Sequence, residues 1–209
     1  EGGADFWTLD PIDGTKGFLR RQHFAIALAR IEGGNVSEAY LCCPRYSVAG
    51  GEGALFVAGK GLGAFEVAIG SDETIPIAVS GETDARQLRM TESVESAHTA
   101  HGASARIVER LGIEAEAFRI DSQCKYAAVA RGDSDVYLRL PTRADYVERI
   151  WDHAAGALVV AEAGGIVTDV AGKALDFSRG AGLSENRGVI VSNGPLHAQV
   201  LAAVQAEGF

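Results

Sequence analysis

The six residues Asp10-Pro11-Ile12-Asp13-Gly14-Thr15 constrain this chain more than any other stretch. They follow an apolar run, Phe6-Trp7-Thr8-Leu9, that reads as a strand. Proline fixes its own φ and pushes the preceding residue towards extended geometry, so Asp10 is expected at the end of that strand. Gly14 can take whatever backbone angle the exit needs. Two carboxylates and a hydroxyl are thereby held on a stiff turn. Hard anionic oxygens in a rigid arrangement suit Mg²⁺, which takes oxygen ligands in near-octahedral geometry and shares them with substrate phosphates.

The 209 residues can bury a full core, as one large domain or two small ones. Hydrophobic residues make up 47% and mean hydropathy is +0.06, ordinary for a globular protein. No apolar run approaches the ~20 residues of a membrane span, so no membrane partner is expected. Lys plus Arg is 19 against 28 Asp plus Glu, a net charge of −9. That balance excludes nonspecific nucleic-acid binding, which needs a basic face, but leaves room for a small phosphorylated substrate met through metal. Three cysteines, Cys42, Cys43 and Cys124, give neither a disulfide framework nor a zinc spacing. A reducing, cytoplasmic setting is expected, with an organelle the alternative if a targeting segment preceded Glu1.

From Phe24 to Ile69 short apolar runs alternate with glycine turns: 24–31, 36–43, 54–58 and 64–69 read as strands of an antiparallel meander. Gly59-Lys60-Gly61-Leu62-Gly63-Ala64 matches the dinucleotide-binding pattern GxGxxA. That fingerprint requires a following helix, and Phe65-Glu66-Val67-Ala68-Ile69 reads as a strand, so a hairpin turn is expected. Beyond the polar stretches 70–73 and 81–84 the rhythm changes. Strands are expected at 88–91, 117–120, 136–140, 166–170 and 189–192, and helices at 104–111, 122–130, 152–163 and 196–206. Strands alternating with helices indicate an α/β layer.

Trp151-Asp152-His153-Ala154-Ala155-Gly156 is the second informative motif. Asp152 opens a helix-forming run of small residues, so a simple N-cap is one reading and a third metal-binding carboxylate the other. His98-Thr99-Ala100-His101 suggests metal ligands but offers no third partner nearby.

Taken together, Asp10-Pro11-Ile12-Asp13-Gly14-Thr15 and Trp151-Asp152-His153-Ala154-Ala155-Gly156 resemble the motifs of the lithium-sensitive, magnesium-dependent phosphatases of the inositol monophosphatase superfamily. Within it, Lys16-Gly17-Phe18-Leu19-Arg20, Asp121-Ser122-Gln123-Cys124-Lys125-Tyr126 and Asp135-Val136-Tyr137-Leu138-Arg139-Leu140-Pro141 look like the 3′(2′),5′-bisphosphate nucleotidases. The resemblance implies an α+β/α/β chain with the layered sugar-phosphatase fold, an antiparallel-sheet half (1–85) followed by an α/β half (86–209). It implies two or three Mg²⁺ ions held by Asp10, Asp13, Asp152 and the Ile12 carbonyl, with Asp13 and Thr15 serving the attacking water. Gly14, Thr15, His98, Ser122, Lys125, Arg139 and Asp152 would meet the substrate, His98 as a loop contact to the base or ribose.

The implied reaction removes the 3′-phosphate from adenosine 3′,5′-bisphosphate, with the sulfated nucleotide of sulfur metabolism as second substrate, by a monomeric enzyme. An inositol phosphate phosphatase is the alternative within the superfamily, since both metal motifs are shared across it. The resemblance also implies a further acidic ligand and a water-activating aspartate on a helical segment upstream of the first motif. A chain without them would bind Mg²⁺ weakly and turn over poorly, leaving a non-catalytic nucleotide-binding fragment as the third reading.

Overall fold

The computed structural model describes residues 5–49, 51–94, 101–143 and 145–209. Strands β1 (Phe6–Asp13), β2 (Ala25–Glu32), β3 (Asn35–Val48), β4 (Gly51–Gly59), β5 (Gly63–Ala68) and β6 (Ile75–Pro76) form one antiparallel sheet in sequence order, with helix α1 (Thr15–Leu19) after β1. This is the expected meander, extended at both ends. Gly59 pairs with Gly63 across a hairpin, so the GxGxxA match is a turn, and its Gly61 and Gly63 amides donate to the Glu162 carboxylate at 2.8 and 2.9 Å.

Strand alternation divides this sheet's faces. Ala25, Ala27, Ala29 and Ile31 of β2, Ala39, Leu41 and Cys43 of β3, and Ala54, Phe56 and Ala58 of β4 point inward and are buried. The opposite face leaves Trp7, Leu9 and Ile26 exposed. The inward alanines are short, so a helix can lie close on them. That helix is α4 (Ala154–Glu162), in which residues from Ala154 to Val160 are all buried. A helix apolar on every side must be covered on every side. The first sheet covers α4 on one side, and helix α3 (Cys124–Ala130) packs beside it.

A second sheet closes the other side. It joins β7 (Met90–Glu92), β8 (Phe118–Arg119), β9 (Val136–Arg139), β10 (Ile166–Thr168) and β11 (Val189–Ser192) in the order β10-β11-β9-β7-β8. β7 runs parallel to β8 and β9, while the β9–β11 and β10–β11 pairs are antiparallel. Its central strands are buried on both faces. Val189, Val191 and Tyr137 face the core around α3 and α4, while Val136, Leu138 and Ile190 face a second core with α2 (His101–Leu111) and α5 (His197–Gln205). The order of layers is therefore sheet, helix pair, sheet, helix pair, in agreement with the antiparallel-then-α/β arrangement expected from sequence.

Three local expectations are corrected. β1 does not end at Asp10 but runs through Pro11 and Ile12 to Asp13. Asp152 is not a helix N-cap: it closes a 3₁₀ turn, Ile150–Asp152, and α4 begins after His153. Ser122 does not open its helix either, since α3 starts at Cys124 and Ser122 has φ +64°. No helix among the described residues is long and apolar enough to cross a membrane.

Candidate active site

In a regular strand, residues three apart point to opposite faces. Asp10 and Asp13 escape this rule through a β-bulge. Asp10 pairs with Ala27 and Asp13 with Ala25, so Pro11 and Ile12 oppose Ile26 alone. Ala25 and Ala27 both face inward, and their cross-strand partners do the same. The extra residue thus turns both carboxylates to one side, a known use of bulges. The Ile12 amide donates to Asp10 Oδ1 at 3.1 Å, and the Thr15 hydroxyl donates to the Ile12 carbonyl at 3.4 Å.

Gly14 then leaves the strand at φ +83°, and a Cβ there would stand 2.8 Å from Ser122 Cβ. Both the angle and the close approach require glycine. Across this contact the Gln123 amide donates to Asp13 Oδ2 at 2.5 Å. The 3₁₀ turn carrying Asp152 packs against β1 and β2. Three carboxylates from two distant motifs therefore converge on one corner.

Their electrostatics reflect the crowding. Burial pushes the Asp13 carboxyl up to about 6, with Asp10 and Asp152 adding to the rise and the Gln123 amide and Lys125 opposing it. Asp10 is raised as well, by burial first and by Asp152, against the Ile12 amide. An excess of negative charge on partly buried oxygens is what a bound cation relieves. The donor set is all oxygen, counting the Ile12 carbonyl, which is the chemistry of a hard divalent ion.

The corner opens into a cleft of about 270 Å³ lined by Asp13, Thr15, Ser122, Lys125, Arg139 and Asp152, with Lys16, Arg20, Ser93 and Asp121 among the other lining residues. Of the residues expected at the site, Gly14 also lines the cleft, and Asp10 joins through its coupling to Asp13 and Asp152. His98 lies outside the described residues.

Lys125 is not a solvated surface residue: it is 7% exposed, with Nζ 5.3 Å from the Tyr137 ring centroid. Burial lowers its pKa, while Asp13 and Asp121 hold its charge. Arg139 faces the cleft but carries resident partners. Its Nε meets Glu148 Oε2 at 2.8 Å, its Nη2 lies 3.6 Å from Asp152 Oδ2, and Nη2 donates to the Tyr146 hydroxyl at 3.3 Å. Burial opposes the guanidinium charge, but Tyr137, Glu148 and Asp152 outweigh it and hold Arg139 charged.

Four further residues support this wall and were not read from the sequence. Glu148, Asp152 and His153 bring ligand atoms within 4.8 Å of one another. His153, fully buried, has Nδ1 2.7 Å from the Tyr126 hydroxyl and Nε2 3.1 Å from Glu148. With Tyr126 donating to Nδ1, Nε2–H donates to Glu148, and both ring nitrogens are used. Burial raises the Glu148 pKa, but His153 and Arg139 more than reverse this and hold it ionised. The group is a relay, Tyr126 to His153 to Glu148 to Arg139, ending beside Asp152. Gln123 is the fourth: its Nε2 donates to the Trp151 carbonyl at 2.8 Å and its Oε1 accepts from the Gly156 amide at 3.3 Å. Its place inside the motif 121–126 was the only signal for it, and Glu148 in its irregular connection gave none.

This geometry can be set beside known proteins. A 3′(2′),5′-bisphosphate nucleotidase of Dictyostelium discoideum is 48% identical over 192 residues, covering 90% of this chain and 58% of its own length. One from Oryza sativa is 45% identical over 218 residues, covering 98% of this chain and 61% of its own. The chain thus spans about three fifths of the length of these curated relatives. Among solved structures, the Thermotoga maritima IMPase superposes with a TM-score of 0.75 at 26% identity, over 99% of this chain and 71% of that one. The inositol monophosphatase of Anabaena shares the fold at a TM-score of 0.76 and 21% identity, over 99% of this chain and 73% of its own. The profile of the inositol monophosphatase family matches residues 1–208, so the acidic corner, the bulged strand that builds it and the layers around it make this chain a member of that family.

Proposed function

We propose that the protein carrying this chain is a Mg²⁺-dependent 3′(2′),5′-bisphosphate nucleotidase that converts adenosine 3′,5′-bisphosphate to AMP and phosphate. The observation that carries this reading is the pairing, in one cleft, of the carboxylate corner with two cations, the buried Lys125 and the half-buried Arg139. A substrate with one phosphate needs the corner alone. A second phosphate gives the cations a purpose, and the names borne by these curated relatives support the same choice over the inositol phosphate alternative.

In this reading Asp10, Asp13, Asp152 and the Ile12 carbonyl hold the metal, two or three ions in all. When bound, the metal supplies Lewis acidity at the phosphate oxygens and a water of lowered pKa. The chain's own groups supply position. Asp13 and Thr15 orient the attacking water, Thr15 through a hydroxyl fixed by the Ile12 carbonyl. Lys125 offers a point charge and Arg139 a forked donor to the second phosphate, while Gly14, Ser122 and His98 meet the nucleotide. Phosphate-ester hydrolysis asks little covalent work of a protein, so positioning and electrostatics carry it.

We place Asp10 and Asp13 in a first lobe, 1–85, and Lys125, Arg139 and Asp152 in a second, 86–209. The sulfated nucleotide is a second substrate, lithium an inhibitor, the enzyme a cytoplasmic monomer. The test compares phosphate release from adenosine 3′,5′-bisphosphate and inositol 1-phosphate, with Mg²⁺ and with chelator, in a protein of the relatives' full length. Preference for the inositol ester overturns the nucleotide assignment.

A further inference from the structure

We propose that Gln123 is a positioning residue that sets the separation between Asp13 and Asp152, and through it the fit of the acidic corner around a cation. The inference rests on reading those two aspartates as metal ligands. Gln123 is 2% exposed and touches both halves of the corner. Its backbone amide donates to Asp13 Oδ2, at the end of β1. Its carboxamide spans the other motif, donating to the Trp151 carbonyl just before Asp152 and accepting from the Gly156 amide at the start of α4. The two motifs lie more than a hundred residues apart in sequence, and this one side chain and its own amide join them.

A second observation shows that the backbone is held for this purpose. Ser122 is one of two non-glycine residues with positive φ among those described, at +64°. A left-handed serine is an unfavourable conformation that persists only where its surroundings impose it, commonly at functional sites. Here the Ser122 hydroxyl donates to the Asp121 carbonyl at 2.5 Å and accepts from the Cys124 amide at 3.3 Å, locking the kink. The kink turns the next amide, that of Gln123, towards Asp13 instead of along α3. Gly14 gives way on the opposite side, since any Cβ there would strike Ser122.

Mg²⁺ accepts little deviation in ligand placement, and Mn²⁺ takes the same octahedral oxygen ligands. Residues that orient metal ligands without touching the metal are worth about 10–100-fold in affinity. Gln123→Met keeps length and volume and removes both side-chain hydrogen bonds, while the backbone amide to Asp13 remains. Asp152 then loses its registration to Asp13.

The experiment titrates Mn²⁺ at pH 7.5 into a protein of the relatives' full length that carries this chain, and into its variants, reading free Mn²⁺ by electron paramagnetic resonance and melting temperature alongside. Gln123→Met is expected to weaken Mn²⁺ about 10–100-fold. Val200→Ala, a core truncation between α5 and the second sheet, lowers the melting temperature without touching the corner and should leave Mn²⁺ affinity within about twofold. A Gln123→Met chain that binds within twofold of the original overturns the proposal, as does equal loss in Val200→Ala. If Gln123→Met does not fold, Gln123→Asn, too short to span both partners, is read by the same criterion. An original chain that binds no Mn²⁺ overturns the metal reading of the aspartates and this inference with it, whereas normal binding with an unaffected variant overturns this inference alone.

Discussion

Asp13→Asn should stabilise the metal-free chain at neutral pH. The Asp13 carboxyl titrates at about 6 in the folded chain, raised from 3.8. A carboxyl raised by folding binds its proton more tightly in the native state. Stability is therefore fully present below about pH 4, falls as pH rises through the window from about 4 to 6, and stays reduced above it. Two pH units at 1.36 kcal/mol each make the loss about 3 kcal/mol at pH 7.5. Asparagine removes the charge while its carbonyl still accepts from the Gln123 amide, so most of that loss is recovered. With about 2–4 °C per kcal/mol for a chain of this size, recovering about 2–3 kcal/mol raises the melting temperature by about 4–12 °C. The assay is thermal unfolding in chelator at pH 4.5 and 7.5, then at pH 7.5 with millimolar Mg²⁺. The gain should appear in full at pH 7.5 and shrink to about a third at pH 4.5, where folded Asp13 is protonated but the unfolded carboxyl is mostly ionised. Mg²⁺ should raise the melting temperature of the original chain and leave the variant unmoved. A variant no more stable at pH 7.5, or equally more stable at both pH values, refutes the reasoning.

Lys125→Met should weaken adenosine 3′,5′-bisphosphate about 10–100-fold, the worth of a charge-assisted contact, and leave Mg²⁺ affinity unchanged or tighter, since a competing cation has gone. Calorimetry with each ligand decides it, and equal loss of both rejects the role. Arg139→Lys cannot reach Glu148, Asp152 and a phosphate at once, and KM for the bisphosphate should rise about tenfold with a smaller change in kcat. Gly156→Ala would set a Cβ 2.3 Å from Tyr126 Cγ, and this overpacking should cost at least about 1–3 kcal/mol by denaturant unfolding. Tyr126→Phe leaves His153 Nδ1 buried without its partner and should cost about 1–3 kcal/mol in the same measurement.

The layers were legible from periodicity because the core made them so: an alanine-lined strand face and a helix apolar all round can only face each other. The site was legible as residue types and illegible as geometry. Asp10 and Asp13 were read on a turn, yet they share a face because a bulge inserts one residue, and nothing in Pro11-Ile12 distinguishes a bulge from a turn. Asp152 was read at a helix start, but the chain spends a 3₁₀ turn before the helix, which carries Asp152 back against β1. Arg139 was expected to meet the substrate. Its partner Glu148 lies in an irregular connection where no periodicity marks which side chain turns inward.

The charges of the cleft explain why these departures belong together. Asp13, Asp121 and Asp152 line it with Lys16, Arg20, Lys125 and Arg139, so it holds opposite charges in near balance inside a chain of net charge −9. A buried ion without a partner is costly, and removing one member of such a pair strands the other. Lys125 keeps its charge through Asp13 and Asp121, Asp13 is eased by Lys125, and Arg139 is held by Glu148 and Asp152. A metal ion alone would leave the basic wall without its counter-charge, and a phosphorylated ligand alone would crowd the acids. Cation and anion entering together change neither side's balance, which is why a site of this composition suits a substrate that arrives with both.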